Sequence, residues 1–92
     1  MNLNLYRKAV SKPNMERFDA SRLSARIAKA GMTAPDFARQ VIRMAPSDMR
    51  VHPNYIMVVL RGLVAKPGAD YLTLFAKVLR CSRDDFFSEG RA

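Results

Sequence analysis

The strongest constraint in this sequence is a helical period that breaks off before any run of it grows long. Ala20, Leu23, Ile27 and Ala30 recur at three- and four-residue spacing, and so do Phe37, Ala38, Val41 and Ile42. Ile56, Val59 and Leu60 repeat the pattern, as do Leu72, Phe75, Ala76 and Leu79. Side chains so spaced share one face of a helix, and that face must be buried against another element. Gly31, Pro46 and Gly62 follow the first three runs, and Lys66-Pro67-Gly68 precedes the fourth. Glycine accepts the positive φ that closes a helix, and proline cannot continue one. The pattern predicts an all-α domain of short helices joined by turns.

Capping residues sharpen the boundaries. The first helix starts near Phe18, with Asp19 or Ser21 as cap. Thr33 caps the second, with Pro35 in its first turn, where a missing N–H costs little. The third runs from Pro53 or Asn54 to about Arg61, after a loop bracketed by Pro46 and Pro53. Asp70 begins the fourth. Ser82-Arg83-Asp84-Asp85 has the Ser-x-x-acid form of a capping box, so a fifth short helix is expected there, anchored by Phe86 and Phe87. Phe18, Phe37, Phe75, Phe86 and Phe87 read as core or dimer-interface residues. Residues 18–88 thus form one domain, preceded by an arm (1–17) and followed by a tail (89–92). Met1 to Tyr6 alternates apolar and polar before Lys12-Pro13-Asn14 breaks any regular element. The arm is either a frayed terminus or a dimer-forming strand.

Composition limits the function classes. Sixteen Lys and Arg against eight Asp and Glu give a net charge of +8 on 92 residues. Such an excess attracts polyanions, nucleic acid above all. An apolar fraction of 49% is that of a folded chain rather than a disordered basic tail. No uninterrupted apolar stretch approaches the ~18 residues of a membrane span, and no apolar run follows Arg7 and Lys8 as in a secretory signal. Cys81 is the lone cysteine, so neither an intramolecular disulfide nor a cysteine-based metal site is expected. A cytoplasmic protein is implied. A domain of this size buries a modest core, and pairing with a second copy would stabilise it.

The order and spacing of these segments resemble the Cro/repressor-type, or XRE, helix-turn-helix family over about three quarters of the chain. Four stretches carry the resemblance: Arg22-Leu23 through Ala30-Gly31-Met32-Thr33; Phe37-Ala38; Ile56, Val59 and Gly62; and Pro67, Tyr71 to Leu79 and Cys81 to Phe87. The resemblance implies a five-helix, lambda-repressor-like domain whose third helix enters the DNA major groove while the second crosses the backbone. It places Thr33 and Ala34 at the start of the phosphate-contacting helix. It places His52, Pro53, Asn54, Tyr55, Met57 and Val58 on or near the reading face. Two features depart from the family. The stretch from Val41 to Ile56 is about eight residues longer than the usual junction. Either the second helix is extended, or an extra turn carries Arg43 and Arg50 toward phosphates. The reading helix is also unusually apolar: where relatives often show Gln, Arg or Ser, this chain has Ala34, Pro53, Met57 and Val58.

Each candidate residue has two readings. Asn54 pairs with adenine N6 and N7 or caps the third helix. Tyr55 reaches a phosphate or base edge, or packs against the long loop. His52 caps, touches phosphate or is solvated; alone, it is no metal site. Arg39, Arg43, Arg50, Arg61 and Lys66 hold phosphates or are solvated surface charges. Arg22, Arg26 and Lys29 lie on the outer side of the first helix. Met57 and Val58 can touch thymine methyls. No catalytic constellation appears. His52 is the single candidate base, Asp84-Asp85 reads as helix-start charge, and Gly31, Gly62, Gly68 and Gly90 form no phosphate loop. No enzyme activity and no cofactor are expected.

The leading expectation is a homodimeric regulator that binds double-stranded DNA at two half-sites. The resemblance adds the context of phage- or plasmid-borne repressors or antitoxins that control their own genes. The rival expectation is a helix-turn-helix fold used as a protein-interaction module, an antirepressor or adaptor, on the strength of the apolar run Ile56 to Leu60. A peripheral membrane role is disfavoured, since no helix joins a Lys/Arg-rich face to an extended apolar one.

Overall fold

The structure, a computed structural model, describes residues 16–89. The strand signal at Met1 to Tyr6 lies outside the described residues, as do most of the expected arm and the end of the tail. The elements run β1 (Glu16–Phe18), α1 (Ala20–Lys29), α2 (Ala34–Met44), α3 (Pro53–Leu60) and α4 (Ala69–Leu79). A 3-10 turn (Arg83–Phe86) and β2 (Phe87–Glu89) complete the described residues. The described residues are mostly helical, with four α-helices.

Local chemistry sets the helix ends. Asp19 caps α1, its Oδ1 accepting from the Ser21 N–H at 2.9 Å. Thr33 caps α2 in a reciprocal box: its Oγ1 accepts from the Asp36 N–H at 3.2 Å, and its own N–H donates to Asp36 Oδ2 at 3.3 Å. Two of the unpartnered N–H groups at the start of α2 are thereby satisfied. Gly31 and Gly62 close α1 and α3 with φ of +78° each, as their places after the periodic runs predict. Arg80 ends α4 in the same left-handed region, at φ +56°, without glycine's freedom.

Two sequence expectations are corrected. The fifth helix is a single 3-10 turn of four residues; Ser82 and Asp85 do form the capping box, but β2 begins immediately afterwards. The domain is also not purely α. Glu16, Arg17 and Phe18 pair antiparallel with Glu89, Ser88 and Phe87, so the end of the expected arm and the start of the expected tail form a two-stranded ribbon. Phe18 is therefore a strand residue rather than a helix start, its ring edge-on to Phe87 at 6.1 Å. The Asp19 N–H donates to the Phe86 carbonyl at 2.8 Å and ties ribbon, α1 and 3-10 turn together.

One core joins the four helices: Leu23 and Ile27 from α1, Phe37, Ala38 and Val41 from α2, Ile56 and Val59 from α3, Leu72, Leu74, Phe75 and Ala76 from α4, and Phe86. The stripes read from the sequence supply most of it. Leu60 and Leu79 pack half-buried against it, Ala20 lies outside it, and Ile42 and Ala30 face solvent. The last two are exposed, Ile42 at 42%, because the other helices approach α2 and α1 on one side of these positions.

Candidate nucleic-acid interface

α2 and α3 pack against each other, and α2 also packs on α4. Residues 45–52, which join α2 to α3, are longer than a tight turn but are not a free loop. Ala45, Met49 and Val51 are half-buried against the core. The Tyr71 hydroxyl donates to the Arg50 carbonyl at 3.3 Å. α2 continues to Met44, and a turn follows in which the Met49 N–H donates to the Pro46 carbonyl at 3.0 Å. The extra length lies in the linker: Arg43 stays within α2, and Arg50 follows the turn.

The placement of α3 divides its residues cleanly. Ile56 and Val59 are fully buried, while Asn54 and Arg61 are exposed. Met57 and Val58 are half-buried and lie outside the core cluster. Counted from Asn54, Met57, Val58 and Arg61 stand three, four and seven positions on, which places all four on one helix face. Arg61 keeps helical backbone angles as the C-cap, so it continues that face. Within α3 no side chain is charged.

Two alternatives for individual residues are thereby resolved. The N-cap of α3 is His52, not Asn54, and the exposed His52 makes no cap hydrogen bond with its side chain. Asn54 is left in the first turn, facing solvent. Tyr55 turns inward, its ring 4.5 Å from Tyr71; Tyr71 stands 5.9 Å from Phe75, and Phe75 5.3 Å from Phe37. This run of rings couples α3 through α4 to α2. Tyr55 is thus a packing residue of the interface rather than part of its outer strip.

The cations fall into separate groups. Arg39 and Arg43, four apart, share an exposed side of α2, whose N-terminus Thr33 caps; Arg43 lies in its last turn. Arg39 is ion-paired with Asp36, while Arg43 has no ion pair among the described residues. Hydrogen bonds from the Thr33 hydroxyl and backbone N–H, and then Arg39, hold the Asp36 carboxyl below its ordinary value of 3.8. Arg50 lines a groove between the α2–α3 linker and α4, with Met44, Met49, Tyr71, Leu74 and Lys77. Lys66 is not brought to α2. Its Nζ lies 5.8 Å above the Phe87 ring, in a groove with Arg17, Asp19 and Gly62 where α1 starts and α3 ends.

Of the α1 cations, Arg22 pairs with Asp19 at 3.9 Å and Arg26 with Asp85 at 3.2 Å. Cys81 is half-buried, and burial pushes its thiol up, away from the thiolate that nucleophilic chemistry needs. No group of three His, Cys, Asp or Glu side chains able to hold a metal occurs among the described residues. No described helix is long and apolar enough to cross a membrane.

Sequence reasoning missed Tyr71 and Arg17. Tyr71 is 21 residues from the carbonyl it meets, and Arg17 reaches Lys66 by way of the ribbon; neither separation carries a periodic signal. No protein-family model matches the chain, nor does any curated protein or solved structure.

Proposed function

We propose that the protein is a sequence-specific, double-stranded-DNA-binding transcriptional regulator, a homodimeric repressor that acts on its own promoter. α2, the linker and α3 serve as a lengthened helix-turn-helix within a lambda-repressor-like domain. The observation that carries this reading is the outer strip of α3, with Asn54 and Arg61 exposed and Met57 and Val58 half-buried, on a helix braced by buried Ile56 and Val59. An α-helix with its side chains is about 10–12 Å across, which the major groove, about 12 Å wide, admits. The net charge of +8 supplies the attraction to phosphates. Thr33 and the N-terminus of α2, with Arg39 and Arg43, contact one stretch of backbone; Arg50 and Arg61 flank the reading helix. His52 sits where α3 begins and contacts backbone or base edge. Lys66, with Arg17, reaches backbone beyond the far end of α3.

Fluorescence anisotropy on the DNA upstream of the protein's own gene, against scrambled duplex at two salt concentrations, tests the reading. Tighter binding to the upstream DNA that persists at the higher salt supports it. Equal and steeply salt-sensitive binding to both reduces the protein to a basic surface.

A protein-interaction module is the second reading. Ile42 and Met44 are each 42% exposed and Leu63 is 70% exposed, apolar side chains that a protein partner would cover. Absence of binding to either duplex, together with a defined complex with a protein partner, favours this alternative.

A further inference from the structure

The outer strip of α3 is chemically narrow, and that narrowness constrains what it can read. The commonest contact to guanine is a bidentate Arg or Lys on O6 and N7, and cytosine N4 is met by Asp or Glu. α3 contains none of these four residue types. The hydrogen-bonding side chain on its outer strip is Asn54, whose carboxamide matches adenine N6 and N7. Beside it stand Met57 and Val58, half-buried and outside the core, able to meet an apolar group. The apolar group that a major groove displays is the thymine C5-methyl. Tyr55, turned against Tyr71, is withdrawn from the strip. Arg61 lies seven residues beyond Asn54, about 10 Å along the helix, where a reading helix leaves the base edges for the backbone.

Resting on the DNA-binding reading above, we infer that α3 recognises A·T pairs. Asn54 takes one adenine edge, and Met57 and Val58 take thymine methyls on neighbouring pairs. The target half-site is A·T at the positions that α3 touches, and its recognition depends on the methyl groups rather than on hydrogen bonds to guanine.

The test begins with selection of the full chain on a pool of random duplexes, followed by sequencing. The recovered site is then rebuilt with deoxyuridine for each thymine, which deletes the methyl and keeps the pairing. A second series puts 7-deazaadenine for each adenine, which deletes N7. The expected result is a site with adjacent A·T pairs at its contacted positions. Each contacted thymine weakens binding about fourfold on replacement by uracil, the effect of exposing one methyl-sized group. One adenine weakens it about tenfold on loss of N7. Met57→Ala binds the thymine and uracil versions of its position equally, and Asn54→Ala does the same for adenine and 7-deazaadenine. A merely structural role for Met57 or Asn54 lowers affinity for every version alike and overturns the assignment.

A recovered site with contacted G·C pairs overturns the inference while leaving the protein a sequence-specific DNA binder. So does a site whose selectivity is lost with His52→Ala or Arg61→Ala but kept with Asn54→Ala and Met57→Ala. A pool that yields no enriched sequence removes the sequence-specific reading itself, and the inference with it.

Discussion

Thr33 and Asp36 show how much a single residue pair can fix. Their reciprocal hydrogen bonds set the first turn of α2, the end of the helix proposed to contact phosphates. Thr33→Ala is expected to cost about 1 kcal/mol of folding stability, the usual loss for a capping threonine, measured by urea denaturation. The Asp36 carboxyl is held below 3.8, so the unfolded chain takes up its proton first as the solution is acidified. Its contribution is complete above that value and is lost as the pH falls through the lowered folded value. Denaturation of wild type and Asp36→Asn should therefore differ at neutral pH and converge below pH 3.8. Gly62 makes a different kind of demand. A Cβ there would meet the Ala20 Cβ at 3.9 Å, an ordinary contact, so the cost of substitution comes from φ +78° alone. Gly62→Ala should lose about 1–2 kcal/mol without disturbing the packing of α1 on α3.

Among the elements, the α2–α3 linker is held by side chains from α4. Tyr71 supplies both a hydroxyl to the Arg50 carbonyl and a ring between Tyr55 and Phe75. These two roles are separable. Tyr71→Phe keeps the ring and removes a solvent-exposed hydrogen bond, so stability should fall by less than about 1 kcal/mol. Faster amide exchange in residues 49–51 should accompany that small change, because the linker loses its tie. Tyr71→Ala also empties the ring position and should destabilise by about 3 kcal/mol, in the range for deleting an aromatic side chain from a packed site. Equal effects of the two substitutions would show that the hydroxyl, not the ring, holds the linker.

Over the whole molecule the positive charge is unevenly committed. Arg22, Arg26 and Arg39 are ion-paired with Asp19, Asp85 and Asp36, whereas Arg43, Arg50 and Arg61 have no ion pair among the described residues. Each phosphate neutralised contributes about −0.9 to the slope of log K against log salt. Arg43→Ala should make that slope shallower by about 0.9 on any duplex, read by anisotropy at four or five salt concentrations. Arg39→Ala should change it less, because Asp36 already screens that guanidinium. An unchanged slope for Arg43→Ala would remove the exposed face of α2 from the interface.

The sequence by itself determined the helices. Caps and glycines act within a turn of their own position, so Asp19, Thr33, Gly31 and Gly62 marked the boundaries of α1, α2 and α3 without reference to the rest of the chain. The 3.6-residue period likewise named Leu23, Ile27, Phe37, Val41, Ile56, Val59, Leu72 and Phe75 as core. Tertiary structure alone decided everything that depends on residues distant in sequence. Pairing of Phe18 with Phe87 turned an expected helix start into a strand, and the chain leaving the Ser82 box entered that ribbon instead of continuing as a helix. The same holds for the candidate interface. Asn54 and Tyr55 are neighbours with equal claims in the sequence, yet packing on α4 draws the Tyr55 ring inward and leaves Asn54 exposed. Local hydrogen bonds and periodicity are written in consecutive residues; which face of a helix stays free is set by what the rest of the chain places against it.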